Sequence, residues 1–168
     1  MSDRKDRRVE QHIRKADDGD VEMLTALINR AYEPAESFLY DGPRVTAGEI
    51  RQKLHRDAFL MVIGRESETR GAVYVECRGE IGYFGLLAVP PEHQGNGVGQ
   101  SLVRAAEQFC RNAGCHTLEI EVVNHRRWLI SYYAKCGYAV TGERPFNFDM
   151  LRVPSLFLFL RKALRPSN

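Results

Sequence analysis

A glycine-rich hexapeptide, QGNGVG at residues 94–99, is the stretch whose composition first suggests chemistry. It follows the apolar run LLAV and two prolines, and it precedes a helical pattern. Glycines at alternate positions allow positive φ and let a ligand approach without meeting a Cβ. Amides between a strand end and a helix start add to the positive end of the helix dipole and attract anions. The loop therefore predicts a phosphate or pyrophosphate site.

The spacing of these glycines disfavours two common nucleotide-binding loops. A P-loop has a lysine after its last glycine, whereas Gln100 follows here. A dinucleotide fingerprint reads G-x-G-x-x-G near the start of a βαβ repeat, but Gly95, Gly97 and Gly99 read G-x-G-x-G in the middle of the chain. Because glycines before a helix are weak evidence alone, the identity of the ligand depends on the neighbouring motifs.

Composition predicts a single domain over residues 1–168, in which 1–8 form a flexible charged tail. The chain has 43% hydrophobic residues and a net charge of only +2, so no broad nucleic-acid footprint is implied and a small-molecule partner is favoured. No apolar run is long enough to cross a membrane, and the charged start is unlike a secretory signal. We expect no membrane association and a cytoplasmic location.

Cysteine and histidine spacing gives no support for a metal site. The four cysteines form no C-x-x-C pair, and we expect them to be buried free thiols, as is usual in a reducing compartment. The five histidines lack H-x-x-x-H spacing. The sequence predicts no metal.

Hydrophobic periodicity and turn signals predict an α/β (α+β) fold with a mixed, largely antiparallel sheet of about seven strands and about four helices. Residues 58–89 form a meander, and one strand-helix-strand unit lies in the middle. Strands are predicted at 9–17, 58–64, 71–78, 81–89, 116–123 and 155–164. Helices are predicted at 18–33, capped by Asp18 or Asp20, at 46–55 with a Thr46–Glu49 capping box, at 100–114 and at 126–137, with a structured loop at 34–45.

Two motifs together resemble the GNAT superfamily of acyl-coenzyme A N-acetyltransferases. Gln94, Gly97 and Gly99 match the Q/R-x-x-G-x-G/A loop of that family, after a strand ending in L-A-V. Tyr133 and the Gly137–Tyr138 pair match its Y-x-x-x-G-F/Y helix end. The two motifs cover about residues 81–141 at the expected separation.

The resemblance implies acetyl-CoA as cosubstrate. Amides of the loop would wrap its pyrophosphate, from Gln94, Gly95, Asn96, Gly97, Val98 and Gly99. The strand end Leu87, Ala88 and Val89 would pair with the pantetheine arm as an extra strand does. The family separates its fourth and fifth strands here, and Pro90 and Pro91 agree with pairing that ends at this point.

Tyr133 stands where the family keeps the acid that protonates the departing thiolate, although it also fits a helix residue that packs its ring. The base is unassigned, because Tyr83 stands where some members have a carboxylate or histidine and cannot accept a proton at neutral pH. Glu119 and Glu121 share one face of a strand. They either line the substrate cavity and relay the proton of the amine, or pair with basic side chains as structural charges.

Arg126 replaces an asparagine that many members have. It reaches a coenzyme A phosphate, caps the site electrostatically, or is an ordinary surface arginine. The acceptor site is expected in the loop after the first helix, at Phe38, Tyr40, Asp41 and Arg44, with Tyr83 beside it and Phe146 and Phe148 opposite. All of these also fit loop packing.

The function predicted from these motifs is direct transfer of an acetyl group to the primary amine of a small molecule, in a ternary complex. An acetyltransferase acting on proteins or peptides, and a non-catalytic acyl-CoA-binding regulatory module, are the alternatives. The aromatic loop suggests a closed pocket, which favours a small acceptor. Monomer and homodimer both remain open.

Overall fold

Seven strands form one sheet in the computed structural model, which describes residues 11–147 and 151–166. The strands are β1 (His12–Lys15), β2 (Ala58–Ile63), β3 (Thr69–Arg78), β4 (Ile81–Ala88), β5 (Thr117–Val123), β6 (Ala139–Pro145) and β7 (Leu156–Ala163). The helices are α1 (Val21–Glu36), α2 (Ala47–Arg56), α3 (Val98–Asn112) and α4 (Arg127–Lys135), with short 3-10 turns at Asp18–Asp20 and Pro91–His93.

The strand order is β1-β2-β3-β4-β5-β7-β6, and every neighbouring pair is antiparallel except β4 and β5. The parallel pair is connected through α3, because parallel strands need a crossover. The predicted fold class, the predicted meander over 58–89 and the central strand-helix-strand unit are therefore confirmed.

Helices cover both faces of the sheet, so its central strands are apolar on both sides. In β2, Leu60 and Val62 pack with residues of α3, while Phe59 and Met61 pack with α1 and α2. All six residues of β2 are buried. Burial on both faces explains why β2 is a continuous apolar run rather than an alternating one.

The first helix differs from its prediction at both ends. Asp17 caps the 3-10 turn that precedes it, and the side chain of Asp20 makes no capping bond to α1. At the other end, α1 continues through Pro34 to Glu36, where a loop was predicted. Proline loses one hydrogen bond in the last turn, but the amide of Ser37 still closes that turn on the carbonyl of Glu33, 3.0 Å away.

Other boundaries agree closely with the sequence. The Thr46–Glu49 capping box is present, and Gly114 and Gly137 end α3 and α4 at φ 85° and 96°. Strand β1 is shorter than predicted, and strand β6 was not predicted at all. The predicted tail, 1–8, lies outside the described residues, as does Phe148. None of the helices in the described part of the chain has the length and apolar character to cross a bilayer.

Gly82 is required where α3 packs on β4. A Cβ built at Gly82 would lie 2.5 Å from Sγ of Cys110 and 3.0 Å from Cδ1 of Leu118. We expect Gly82→Ala to lower the free energy of unfolding by about 1–3 kcal/mol, because overpacking a dense core forces side chains and backbone to move. Urea or thermal unfolding measures the change.

Gly48→Ala is the matched control, because it is the same chemical change inside α2. Its Cβ would find only Oγ1 of Thr46, at 4.0 Å. Since alanine has the higher helix propensity, this variant should be neutral or more stable by up to about 1 kcal/mol. Equal stability of the two variants would contradict the proposed close packing at Gly82.

Candidate active site

The central strands β4 and β5 separate part-way along their length. Their parallel pairing covers three positions and ends with Tyr83 opposite Glu119, although β4 continues to Ala88 and β5 to Val123. The separation implied by the family resemblance is present, but it begins well before Pro90, so the prolines do not cause it. Beyond Tyr83 the facing edges of β4 and β5 no longer pair with each other, and such an edge can bind an extended ligand as a further strand.

A β-bulge in β4 lies beside this gap. Val73 of β3 faces both Leu86 and Leu87 of β4, where the register of the pair shifts. Leu86 has φ 49°, a rare conformation for a residue with a side chain. A bulge leaves the extra residue unpaired and changes the direction of nearby backbone groups. The bulge therefore presents free backbone groups beside the gap.

The glycine-rich loop closes one end of the gap. Gly95 and Gly97 have φ 76° and 77°, and Gly97 is the residue before the first turn of α3. Gly99 was predicted to need the same freedom, but it lies inside α3 and needs none. The Nε2 of Gln94 donates to the carbonyl oxygen of Val89, 2.9 Å away, which ties the loop to the end of β4. The amides at the start of α3 are the predicted anion site.

A cavity of about 1170 Å³ fills the gap between the strands. Its wall includes eight predicted cofactor residues: Leu87, Val89, Gln94, Gly95, Gly97, Val98, Gly99 and Arg126. It also includes four predicted catalytic or acceptor residues: Tyr133, Glu121, Arg44 and Tyr83. The volume exceeds the roughly 300–1,000 Å³ of typical small-molecule pockets, which leaves room for two substrates.

Five predicted site residues do not line the cavity: Ala88, Asn96, Glu119, Phe38 and Tyr40. The side chain of Ala88 packs into the core under α1 and α2, because alternate residues of a strand face opposite sides. Phe38 is half exposed and packs edge-on against His125. Tyr40 is buried in a small core cluster. The expectation that the Phe38 and Tyr40 side chains line the acceptor site is therefore wrong.

The two other aromatic or acidic candidates near the acceptor loop have structural partners. Asp41 forms an ion pair with Arg152. Phe146 stacks on Phe157, with ring centroids 4.2 Å apart, in a buried cluster. Asp41 and Phe146 therefore make contacts within the protein, and neither lines the cavity.

Tyr133 lines the cavity from α4 and is almost fully buried, at 4% exposure. Its ring packs against Phe84 and Tyr138, so the packing interpretation describes a real feature, and the acid role stays a prediction. Burial raises the pKa of the Tyr133 hydroxyl, Tyr32 raises it further, and the guanidinium of Arg126 offsets part of the rise. The phenol is therefore protonated at neutral pH and available as a proton donor.

Glu119 and Glu121 both pair with arginines of the neighbouring strands. Glu119 accepts a hydrogen bond from Nε of Arg161 at 2.6 Å, and Glu121 accepts one from Nη2 of Arg144 at 2.7 Å. Of the two alternatives left open by the sequence, ion pairing accounts for Glu119, which is off the cavity wall. Glu121 pairs with Arg144 and also lines the cavity, so its role as a proton relay stays a prediction.

Tyr83 occupies the position at which some members of the resembling family have a carboxylate or histidine as the general base. Burial raises the pKa of its hydroxyl, and the carboxylate of Glu121 raises it further. A phenol with a raised pKa does not accept a proton near neutral pH, so the expectation about Tyr83 fits the geometry. The described residues that reach the cavity with a carboxylate are Glu36, Glu49 and Glu121.

A buried charge cluster around Glu36 was missed by the sequence reading. The side chain of Glu36 is 4% exposed, and its oxygens lie 3.0 Å from the Tyr40 hydroxyl, 3.5 Å from Nε of Arg44 and 3.4 Å from Nη1 of Arg126. Tyr32 lies under both arginines, and burial, with the nearby Glu36, raises its pKa to about 12. The signal available in the sequence was helical spacing of Tyr32 and Glu36, which Pro34 obscured.

Three of the four free cysteines come together away from the cavity. The sulfurs of Cys77, Cys110 and Cys115 lie within 4.8 Å of one another. Burial raises the pKa of the Cys77 thiol to about 11, and proximity to Cys115 adds to the rise, so the group is a protonated thiol. The expectation of no metal stays a prediction, because three such sulfurs are also a ligand set.

The sequence profile of the Acetyltransferase (GNAT) family matches residues 22–138. The chain belongs to this family. The match spans the cavity walls from α1 to the end of α4, and it confirms the resemblance drawn from the two motifs. The assignment to the acetyl-CoA-dependent N-acetyltransferases is confirmed at the level of the family.

Among curated proteins, this GNAT chain is similar to streptothricin acetyltransferase of Streptomyces lavendulae, with 29% identity over 93 residues. The aligned part covers 47% of the chain and 49% of that protein, so the chain spans about half the length of this relative. Sequence similarity of this extent agrees with membership of the family and does not fix the acceptor.

Solved GNAT structures share the fold over nearly the whole chain. Spermidine N-acetyltransferase from Vibrio cholerae, in complex with CoA and spermine, has a TM-score of 0.73 and 17% identity, covering 92% of this chain and 95% of that one. Ribosomal-protein-alanine N-acetyltransferase from Brucella melitensis has a TM-score of 0.74 and 19% identity, covering 91% and 99%. The two named acceptors differ in kind, so the shared fold does not select between them.

The loop geometry predicts that Gly97→Val weakens binding of acetyl-CoA. Gly97 has positive φ and no atom within 4 Å of a built Cβ, so a side chain would fill the space in front of the loop amides. We expect the dissociation constant for coenzyme A, measured by calorimetric titration, to rise about tenfold or more, since several charge-assisted hydrogen bonds would be disturbed.

Gly79→Val provides the matched control for the cost of positive φ. Gly79 has φ 63°, also has nothing within 4 Å, and lies in the β3–β4 turn away from the cavity wall. This variant should lose similar stability and bind coenzyme A normally. Normal coenzyme A affinity in a folded Gly97→Val protein would contradict the pyrophosphate assignment.

Proposed function

We propose that this GNAT protein transfers an acetyl group from acetyl-CoA to the primary amine of a small molecule, directly and in a ternary complex. The observation that carries the proposal is a single cavity between β4 and β5 whose wall includes both the glycine loop and Tyr133. The cofactor site and the candidate acid therefore open on the same space.

The residues present fit acetyl-CoA. Gly95 and Gly97 have positive φ and no side chain, and the space that a Cβ would enter is empty. The first amides of α3, directly after this loop, can donate hydrogen bonds to a phosphate. The unpaired edge of β4 after Tyr83 supplies backbone donors and acceptors for an amide-bearing arm. When bound, acetyl-CoA supplies a thioester whose carbonyl carbon accepts the amine.

The reaction forms a C–N bond, breaks a C–S bond and moves two protons. The attacking amine must be neutral and gives up a proton as the amide forms, while the departing thiolate gains one. In this proposal the hydroxyl of Tyr133, which burial keeps protonated, donates its proton to the thiolate, and the phenolate so formed regains a proton from the one that the amine releases. The proton of the amine leaves through water in the cavity, with Glu121 on the wall as its nearest predicted relay.

Two features support a small acceptor. The cavity is walled on the acceptor side by Tyr32, Arg44 and other residues of α1, α2 and the loop between them. Asn29 fixes this loop by bonding both the amide and the carbonyl of Val45, each at 2.9 Å. A fixed loop over the cavity favours a compact amine over a protein chain.

The four free cysteines support the prediction of a reducing compartment such as the cytoplasm.

A screen of acetyl-CoA consumption against amines, amino acids, polyamines and peptides, read by release of free thiol, tests the proposed function as a whole. Turnover with small amines supports it, and turnover confined to peptides, or coenzyme A binding without any turnover, contradicts it.

Tyr133→Phe tests the acid. The change removes the proton donor and keeps the ring with its packing, so we expect kcat to fall about 100-fold or more with little change in the acetyl-CoA dissociation constant. Single-turnover measurements prevent product release from masking the chemical step.

Tyr138→Phe is the matched control in the same aromatic cluster. Its hydroxyl donates to Oε1 of Glu107 at 3.1 Å and it does not line the cavity. We expect it to cost about 0.5–1.5 kcal/mol of stability, because Oε1 of Glu107 loses one donor but keeps Nζ of Lys162 at 2.8 Å, while the chemical step is retained. Full single-turnover activity of Tyr133→Phe would move the acid role elsewhere.

Direct transfer predicts that no cysteine is essential. Replacing Cys77, Cys110, Cys115 and Cys136 one at a time by alanine should reduce stability through lost packing, and kcat should stay within about twofold of the wild type, since no covalent intermediate is needed. Mass spectrometry of the protein after mixing with acetyl-CoA alone provides the check. A trapped acetyl-cysteine would overturn the direct mechanism.

A further inference from the structure

The acceptor end of the cavity carries an excess of positive charge. Arg44, Arg126 and Lys53 line it, against the single buried carboxylate of Glu36. Of the other charges on the wall, Glu49 accepts hydrogen bonds from the amide and hydroxyl of Thr46 at the start of α2. Arg56 pairs with Glu76, outside the cavity, and Glu121 pairs with Arg144.

Glu36 does not satisfy the two arginines that flank it. Two guanidiniums offer ten N–H donors, whereas Glu36 has two oxygens and shares one of them with the Tyr40 hydroxyl. The contacts to Arg44 and Arg126 are single and long, at 3.5 and 3.4 Å, and Nε of each arginine is buried without a hydrogen-bond partner. Buried unpaired donors are rare in folded proteins, so Glu36 leaves hydrogen-bonding capacity on both guanidiniums, whose side chains are 24% and 17% exposed.

Aromatic rings and a fixed loop restrain the guanidiniums of Arg44 and Arg126. The ring of Tyr32 lies 5.5 Å from the guanidinium carbon of Arg44 and 6.0 Å from that of Arg126, and the ring of Trp128 lies 5.5 Å from the latter. The bonds between Asn29 and Val45 fix the backbone next to Arg44. Restrained guanidiniums lose little entropy when they bind a ligand.

The arginines stand close to the reacting end of the cavity. Arg44 and Arg126 line the same cavity as Tyr133 and Tyr83. A group bound between the arginines would therefore share this space with the Tyr133 hydroxyl.

We propose that the acceptor amine carries a carboxylate, and that this carboxylate binds between Arg44 and Arg126. The inference rests on the proposed function, because it names the acceptor of that same site. A carboxylate matches the planar donor fork of arginine and supplies acceptors for donors that Glu36 leaves unpaired. The substrate class is an amino acid or another amine with a nearby carboxylate.

The same charges disfavour polyamines. A ligand with several ammonium groups would meet Arg44, Arg126 and Lys53 at this end of the cavity, where Glu36 is already paired with both arginines, and like charges in a partly buried site repel strongly. We therefore expect an acceptor different from spermidine, the polyamine for which the Vibrio cholerae enzyme with the same fold is named.

The test compares matched acceptors on the wild-type protein. Each α- or ω-amino acid is paired with the amine that lacks its carboxylate and with its carboxamide, and spermidine serves as the cationic probe. We expect kcat/KM for the best amino acid to exceed that of its decarboxylated and amide partners by about 10- to 100-fold, through KM. Equal or higher values for the neutral partners, or for spermidine, overturn the proposal.

Variants locate the preference. Arg44→Gln and Arg126→Gln should each raise KM for the amino acid about tenfold or more and reduce the advantage in kcat/KM of the amino acid over its decarboxylated partner by a similar factor. Arg127→Gln removes the same charge from the exposed neighbour of Arg126, off the cavity wall, and should change neither. Because Glu36 could destabilise the glutamine variants, Arg44→Lys and Arg126→Lys provide folded alternatives that keep the charge and lose the fork.

Binding measurements separate this inference from the proposed function. Calorimetry with the coenzyme A-loaded protein detects amino-acid binding without turnover. Binding of an amino acid that is lost in Arg44→Gln or Arg126→Gln, without acetyl transfer, supports the carboxylate site and contradicts the proposed function. Turnover of amines without a carboxylate, and of no others, supports the proposed function and contradicts the carboxylate site. Weakened coenzyme A affinity in Arg126→Gln, with an unchanged KM for amino acids, assigns Arg126 to the cofactor and overturns the inference.

Discussion

The early end of pairing between β4 and β5 is the constraint on which the rest of the site depends. Two strands that stop exchanging hydrogen bonds in the middle of a sheet leave backbone groups that must find other partners. The divergence is maintained because each strand stays paired on its other side, β4 with β3 on both sides of the bulge and β5 with β7. The sheet can therefore remain open at its centre without losing its order, and the opening becomes a cavity rather than a defect.

The elements around this opening each contribute one function. The turn after β4 leads into α3, so the positive end of that helix and its glycine loop stand at one mouth of the cavity. The helix after β5 brings Tyr133 to the wall. The first two helices cover the remaining side through a loop fixed by Asn29. The fold thus brings the glycine loop, Tyr133 and the wall formed by the first two helices to one cavity.

Elements with strong local signals could be predicted, and those that depend on distant partners could not. The capping box at Thr46 and the glycine loop are short-range features, and both are present. Strand β6 has an exposed, irregular pattern with Gly142 inside it, and it exists because it pairs with β7. Without β6, the partner of Glu121 could not be known, since Arg144 lies on that strand.

The interpretation of Pro34 as the end of the first helix concealed the charge cluster around Glu36. Read as a helix stop, it separated Tyr32 from Glu36 and placed Glu36 in a loop, whereas both lie on α1. The charges that meet Glu36 come from a loop and from the residue before α4, so no pattern within a single element could reveal the cluster. Arg126 replaces the asparagine of many relatives, and only the fold shows that it turns toward α1.

Arg126 and Tyr133 also link the charge cluster to the chemistry. Arg126 is the residue just before α4 and Tyr133 lies inside that helix, and both line the cavity. Glu36 pairs with Arg126 from the end of α1, so this ion pair joins the start of α4 to the helix on the other side of the cavity. Because α4 also follows the strand that forms one edge of the gap, any movement of α4 would shift Tyr133, Arg126 and the cavity wall together.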